Sequence, residues 1–296
     1  MTLKFDIASD LHVDAWFNTT QLLYHKGEGP ASWTGDAWGE GKFIHLDWNW
    51  YKSPDSRVLV IAGDVSNDIN DTIEVVKDAS EVYEYVVFVE GNHDHYQKTI
   101  QADVDANQTI LRNAMRNIKN VAYLDGENSI NIDGVLFIGT LGWYDWRSFE
   151  ERGITVELAK DQWETRSRDA RYPNYGVHQH PGILAWSHAE LLRTQVMEAQ
   201  TDSLVTSIVV VTHTSPLPEL NEWIEGRDVW NALTPSYVNT RMAHVLDVDV
   251  AKKIKHWVYG HTHTRRIVEI NGVIYSNNAV GYPRENEAWS MTQQVV

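Results

Sequence analysis

Six short apolar runs, each ending in a polar cluster, constrain this chain most: residues 3–8, 57–62, 86–90, 135–140, 207–212 and 256–259. Their Val- and Ile-rich character and short length are those of buried strands. Between them the period changes. Ile69, Ile73, Val76, Ser80 and Tyr83 fall on one helical face, Val104, Leu111, Met115 and Ile118 on another, and residues 186–200 predict a third helix. Strands alternating with helices predict an α/β fold, whose ligands bind beyond the carboxyl ends of the strands. Three stretches break the alternation, at about 14–56, 145–185 and 217–239. We read them as insertions of one domain spanning residues 1–296, forming a cap or rim over the site, and not as linkers.

Composition narrows the function classes. The 43% hydrophobic and 22% charged fractions describe a globular chain, and no apolar run approaches the ~20 residues of a membrane helix. Cys is absent, which removes disulfides, thiolate metal sites and Cys nucleophiles together. A formal charge of −16 argues against a long nucleic-acid duplex as partner. The first residues alternate like a strand and lack the apolar core of a signal peptide, so a cytoplasmic location is expected.

The chemistry sits where the runs end, at Asp10-Leu11-His12, Gly63-Asp64, Gly91-Asn92-His93-Asp94, His213 and Gly260-His261-Thr262-His263. Singly these are weak signals: about 0.6 His-x-His pairs arise by chance at this His content. A Gly-Asn-His triplet is rarer, at about 0.05 expected. Residues i and i+2 of an extended chain face one side, so Asp10 with His12, and His261 with His263, can aim two donors the same way. Asp10, His12, Asp64, Asn92, His213, His261 and His263 supply two carboxylates, one amide oxygen and four imidazoles. This thiolate-free set suits Mn, Fe or Zn better than Ca. Seven donors exceed one tetrahedral site but fit two divalent ions that share a carboxylate. Glycines beside Asp64, Asn92 and His261 let the backbone turn sharply there.

In this order and across residues 10–263, the clusters resemble the calcineurin-like metallophosphoesterase superfamily, whose pattern is Asp-x-His, Gly-Asp, Gly-Asn-His-(Glu/Asp), His and Gly-His-x-His. The resemblance implies an αββα sandwich of two mixed β-sheets flanked by helices, with a dinuclear site. Asp10, His12, Asp64 and His263 would hold one metal, and Asp64, Asn92, His213 and His261 the other, with Asp64 bridging. His93 would be the general acid or transition-state stabiliser, oriented by Asp94. The implied reaction is in-line attack of metal-bound hydroxide on phosphorus. Ser/Thr protein phosphatases of the superfamily carry Gly-Asp-x-x-Asp-Arg-Gly; this chain has Gly63-Asp64-Val65-Ser66-Asn67-Asp68, which argues against that branch.

Other residues have plainer readings. His95, His178 and His180 read as surface or packed histidines, and Tyr96 as a packed ring that can also touch substrate. Trp143, Tyr144 and Arg147, at the end of a predicted strand, are further candidates for substrate contact. Trp16, Trp33, Trp38, Trp48 and Trp50 either give the first insertion its own core or stack a nucleobase, and the core is favoured. Arg147, Arg152, Arg166, Arg168 and Arg171 are nearly cancelled by neighbouring acids, which favours a solvated ion-pair surface over a phosphate site. The expected activity is metal-dependent hydrolysis of a small phosphorylated substrate, a phosphodiester slightly ahead of a monoester. The rivals are a nuclease of the same superfamily, which would need a basic groove, a protein phosphatase, and a binding scaffold without catalysis.

Overall fold

The computed structural model describes residues 2–17, 31–34, 43–96, 102–223, 231–286 and 289–296, with side chains absent from the description at 17, 31–34 and 43–45. All six apolar runs are strands, and they divide into two sheets. In the first, β1 (Lys4–Ala8), β4 (Val58–Ala62), β5 (Tyr85–Val89) and β6 (Val121–Tyr123) run parallel, and β13 (Thr292–Val295) adds antiparallel to β1. In the second, β8 (Val135–Thr140), β9 (Ser207–Thr212), β10 (Ile254–Tyr259) and β12 (Val273–Asn277) run parallel. Antiparallel β7 (Ser129–Ile132) and β11 (Arg266–Ile270) close its two edges. Both sheets are therefore mixed.

Alternation along the strands fills two layers of core. Phe5, Ile7, Val58, Val60, Val87 and Val89 of the first sheet meet Phe137, Val209, Val211 and Val258 of the second. The intervening Leu59, Ile61, Val86 and Phe88 pack outward with residues of α2 (Ile69–Ser80) and α3 (Val104–Met115). On the far side Ile208, Val210 and Trp257 pack with α5 (Pro181–Thr201) and α6 (Ala243–Asp247). Each layer is covered on both faces, which is why these strands are apolar almost throughout. Helices on both outer faces complete an αββα sandwich. Among the described residues no helix is long and apolar enough to cross a membrane.

The helical faces differ in detail from the sequence reading. In α2 the buried positions are Ile69, Thr72, Val75, Val76 and Ala79, whereas Ile73 and Ser80 lie at its margin. Tyr83 is buried beyond the helix end, where its hydroxyl donates to Asp6 at 2.7 Å. α5 begins five residues earlier than expected, at Pro181, a residue pre-shaped for a first helical turn.

The three insertions contain structure of their own. The first carries α1 (Val13–Phe17), a hairpin of β2 (Ala31–Thr34) and β3 (Phe43–Leu46), and a 3-10 turn at Trp48–Trp50. Trp16 and Trp48 are buried in the core shared with α2, while Trp50 is exposed. Trp33 and Trp38 lie outside the residues whose side chains are described. The second carries α4 (Val156–Arg166), and its Trp146, Phe149, Trp163 and Tyr175 join Trp143 and Tyr144, just before it, in one aromatic cluster.

Candidate metal centre

The polar clusters emerge from the carboxyl ends of β1, β4, β5, β9 and β10 and meet there. Asp10, His12, Asp64, His261 and His263 all have left-handed backbones, with φ between 42° and 69°, five of thirteen such non-glycine residues described. That conformation costs about 1–2 kcal/mol per residue. Cross-links between loops hold it: the Asp10 N–H donates to Gly63 O at 2.9 Å, that of His12 to Asp64 O at 3.1 Å, and that of His261 to Asp10 Oδ1 at 2.8 Å. Glycine serves mainly close approach. A Cβ on Gly91 would overlap Asp64 Oδ1, and one on Gly63 (φ 80°) would lie 2.6 Å from His213 Nδ1.

Two groups of donors result. Ligand atoms of Asp10, His12, Asp64 and His263 lie within 4.8 Å of one another, as do those of Asp64, His213 and His261, with Asp64 in both. His12 Nε2 is 3.0 Å from His263 Nε2 and 3.7 Å from Asp64 Oδ2, and His213 Nε2 is 3.3 Å from Asp64 Oδ1 and 2.9 Å from Asn92 Oδ1. Three of the four imidazoles have their outer ring nitrogen tied down. His213 Nδ1 faces Ala62 O at 2.8 Å, His261 Nε2 faces Ser236 O at 3.1 Å, and His263 Nδ1 faces Glu285 Oε2 at 2.6 Å. Such partners fix which nitrogen is left to point inward.

The electrostatics fit a cation. Asp10 Oδ2 and His12 Nδ1 are buried without a hydrogen-bond partner. Burial, with His213 opposite, lowers His261 to about 3, and burial with His93 opposite pushes His12 well below its ordinary value. Burial also raises Asp10, whereas Asp64, despite its own burial, is held well below the carboxylate range by His213 and His93. His213 is carried up to about 10, the Asp64 charge overriding burial. Crowded lone pairs around one shared carboxylate are a donor set for positive charge, and these residues fit two divalent ions.

His93 sits over this set. Its Nε2 is 4.0 Å from Asp64 Oδ2 and 3.3 Å from the Tyr282 hydroxyl, and burial lowers its pKa. Its orientation corrects the sequence reading: Nδ1 pairs with Asn67 Oδ1 at 2.7 Å, not with Asp94. The Asp94 carboxylate points the other way. It accepts from the N–H groups of Gly91 (2.7 Å) and Asp64 (3.1 Å) and from the Thr72 hydroxyl (2.7 Å), and so ties β4, β5 and α2 together. Burial and the neighbouring Asp64 charge raise its pKa to about 7.

A cleft of about 480 Å³ opens above, lined by Asp64, Asn92, His93, His261 and His263 at its floor and by residues of the second and third insertions. Of the four proposed substrate contacts only Tyr96 lines it. Trp143 and Tyr144 are buried in the aromatic cluster, because the chain turns at Gly142 (φ 96°) and Trp143 (φ 40°) and carries them beneath the insertion. Arg147 belongs to a separate hollow with Glu150, Thr155 and Glu157. Arg166 and Arg168 line the cleft and are both exposed, so the reading of this Arg cluster as solvated holds for them while they border the site. His178 pairs with Asp105 at 3.0 Å, and His95 is buried against Trp143 with neither ring nitrogen bonded. Sequence reasoning missed Asn67, Asp169, Tyr282 and Glu285. Tyr282 stacks on His12 with centroids 4.3 Å apart, but the Gly281–Glu285 loop carries no motif that would have flagged it.

Comparison with known proteins agrees with the geometry. Over 245 residues the chain is 22% identical to uncharacterized protein L509 of Acanthamoeba polyphaga mimivirus, covering 80% of this chain and 83% of that one. The crystal structure of phosphopantetheinyl hydrolase (PptH) from Mycobacterium tuberculosis superposes with a TM-score of 0.72 at 19% identity, over 98% of this chain and 95% of that one. The family model for calcineurin-like phosphoesterases matches residues 3–265. The chain belongs to the calcineurin-like phosphoesterase family.

Proposed function

We propose that this protein is a two-metal phosphoesterase that cleaves a small, flexible phosphodiester. Asp10, His12, Asp64 and His263 hold one ion, and Asp64, Asn92, His213 and His261 the other. The observation that carries this is the membership of Asp64 in both donor groups at the cleft floor. When bound, a metal pair supplies Lewis acidity and a nucleophile available near neutral pH. The residues supply the rest. His93, aligned by Asn67, presents Nε2 above the shared carboxylate and in its imidazolium form, with both ring nitrogens protonated, donates the Nε2 proton to the leaving oxygen. Tyr282 braces both His93 and His12. Arg166 and Arg168 on the cleft wall contact the non-reacting part of the substrate, and the −16 exterior is screened beyond ~8 Å at physiological salt, so an anion still enters.

A diester is favoured because Arg166 and Arg168 are the only Lys or Arg side chains among the described residues that line the cleft, few for a dianionic monoester beyond what a metal pair would neutralise. The hydrolase whose fold this chain shares is named for phosphopantetheinyl groups, so a phosphopantetheinyl diester belongs among the first substrates tried. The direct test is turnover of bis-p-nitrophenyl phosphate against p-nitrophenyl phosphate with added Mn²⁺. Activity on the diester should vanish with chelator and return with metal, and Asp64→Asn should abolish it. Metal-independent turnover, or none on any phosphate ester with Mn²⁺, Fe²⁺ or Zn²⁺, would refute the proposal.

A further inference from the structure

Asn92 differs from the other donors in having two ends of nearly equal shape. Only Oδ1 can meet a cation; the amide nitrogen carries two hydrogens and no lone pair to offer. Something must therefore decide which end faces inward. Asn92 Nδ2 donates to Asp169 Oδ1 at 2.8 Å and lies 3.3 Å from the Tyr96 hydroxyl, which leaves Oδ1 facing His213 Nε2. A reversed amide would set its oxygen against an acceptor-only carboxylate, and both residues are buried, Asn92 2% and Asp169 3% exposed.

The carboxylate is itself fixed. Asp169 Oδ1 also accepts from the Tyr96 hydroxyl, and Oδ2 from the Tyr144 hydroxyl at 2.7 Å. Tyr144 in turn accepts from Trp163 Nε1 at 2.6 Å, the Tyr175 hydroxyl donates to Asp169 O at 3.0 Å, and the Asp169 N–H donates to Ser167 Oγ at 3.1 Å. We infer that Asp169 is a positioning residue: the second insertion, through this one carboxylate, sets the Asn92 amide so that its oxygen completes the donor group of Asp64, His213 and His261. The inference rests on the two-metal reading above. It makes that insertion a part of the metal centre as well as a wall of the cleft. Arg166 and Arg168, two guanidinium groups lining the cleft, stand just before the same residue in sequence.

The test is titration of the metal-free full chain with Mn²⁺ by calorimetry, which needs no turnover. The unaltered protein should take up two equivalents. Asp169→Leu should weaken one of them by about 10–100-fold and leave the other unchanged, because Asn92 serves only one donor group. Asp169→Asn, whose oxygen can still accept from Asn92, should recover most of the loss. A merely loosened insertion would lower the melting temperature without separating the two equivalents. Two wild-type equivalents in Asp169→Leu, or equal weakening of both, overturns the inference and leaves the two-metal reading standing. No paired uptake by the unaltered protein overturns both. If the Leu variant does not fold, Asp169→Ser, too short to reach Asn92, is read in the same way.

Discussion

Strained backbones gather where ions would bind. Five of the proposed ligands are left-handed, a conformation that favours glycine, yet each position must carry a donor side chain. The cross-loop hydrogen bonds hold these conformations in the folded chain, so the donors are largely pre-arranged. His93 is a different kind of residue, close to the set but bonded to Asn67 and Tyr282. His93→Ala is expected to keep both Mn²⁺ equivalents and to lower turnover by about 10²–10⁴-fold. Calorimetry and steady-state rates on one preparation separate the two effects. Full activity on a diester with a poor leaving group would remove His93 from the acid role.

At the scale of elements, the start of the site is fixed by how α2 is docked. Asp94 binds the ends of β4 and β5 to Thr72 of α2, and Trp48 seals the helix from outside, its Nε1 donating to Val75 O at 3.1 Å. The Leu46 N–H donates to Asp78 Oδ2 at 2.8 Å beside it. Much of the first insertion's described part is thus core of the sandwich. Trp48→Ala should cost about 3–5 kcal/mol, read as a lower urea midpoint, because removing a fully buried indole leaves a cavity. Metal uptake should survive where the variant remains folded, since Trp48 touches no donor.

Across the whole molecule, stability depends on buried imidazoles that stay neutral. His188 on α5 accepts the Gly142 N–H at Nδ1 (3.1 Å) and meets the Thr140 hydroxyl at the same nitrogen, and burial, reinforced by His95 and His178, lowers it to about 3. The folded state therefore resists protonation while the unfolded chain titrates near 6.5. Stability from this residue is present above pH 6.5 and is lost as pH falls from there towards about 3. The wild type should thus lose stability faster than His188→Gln on going from pH 7 to pH 5, by up to about 1.4 kcal/mol per pH unit, in denaturant titrations at each pH. Parallel curves would remove His188 from the acid response.

The sequence by itself determined the central strands and where the polar clusters follow them. A strand covered on both faces must be apolar almost throughout, and a loop that leaves such a strand at a ligand site must be polar, so β1, β4, β5, β8, β9 and β10 and the clusters at Asp10, Asp64, Asn92, His213 and His261 were legible in one dimension. Strands β2, β3, β6, β7, β11, β12 and β13 were not among the runs read from the sequence, because their pairing comes from neighbours rather than from their own residues. Tertiary structure alone decided which groups act on the donors. Asn67 aligns His93, Asp169 meets Asn92 from 77 residues away, and Glu285 meets His263 from 22. It also decided that Asp94 clamps backbone, and that Trp143 and Tyr144 turn inward. A hydrogen bond between distant loops depends on where the sheets bring them, and no local period encodes that distance.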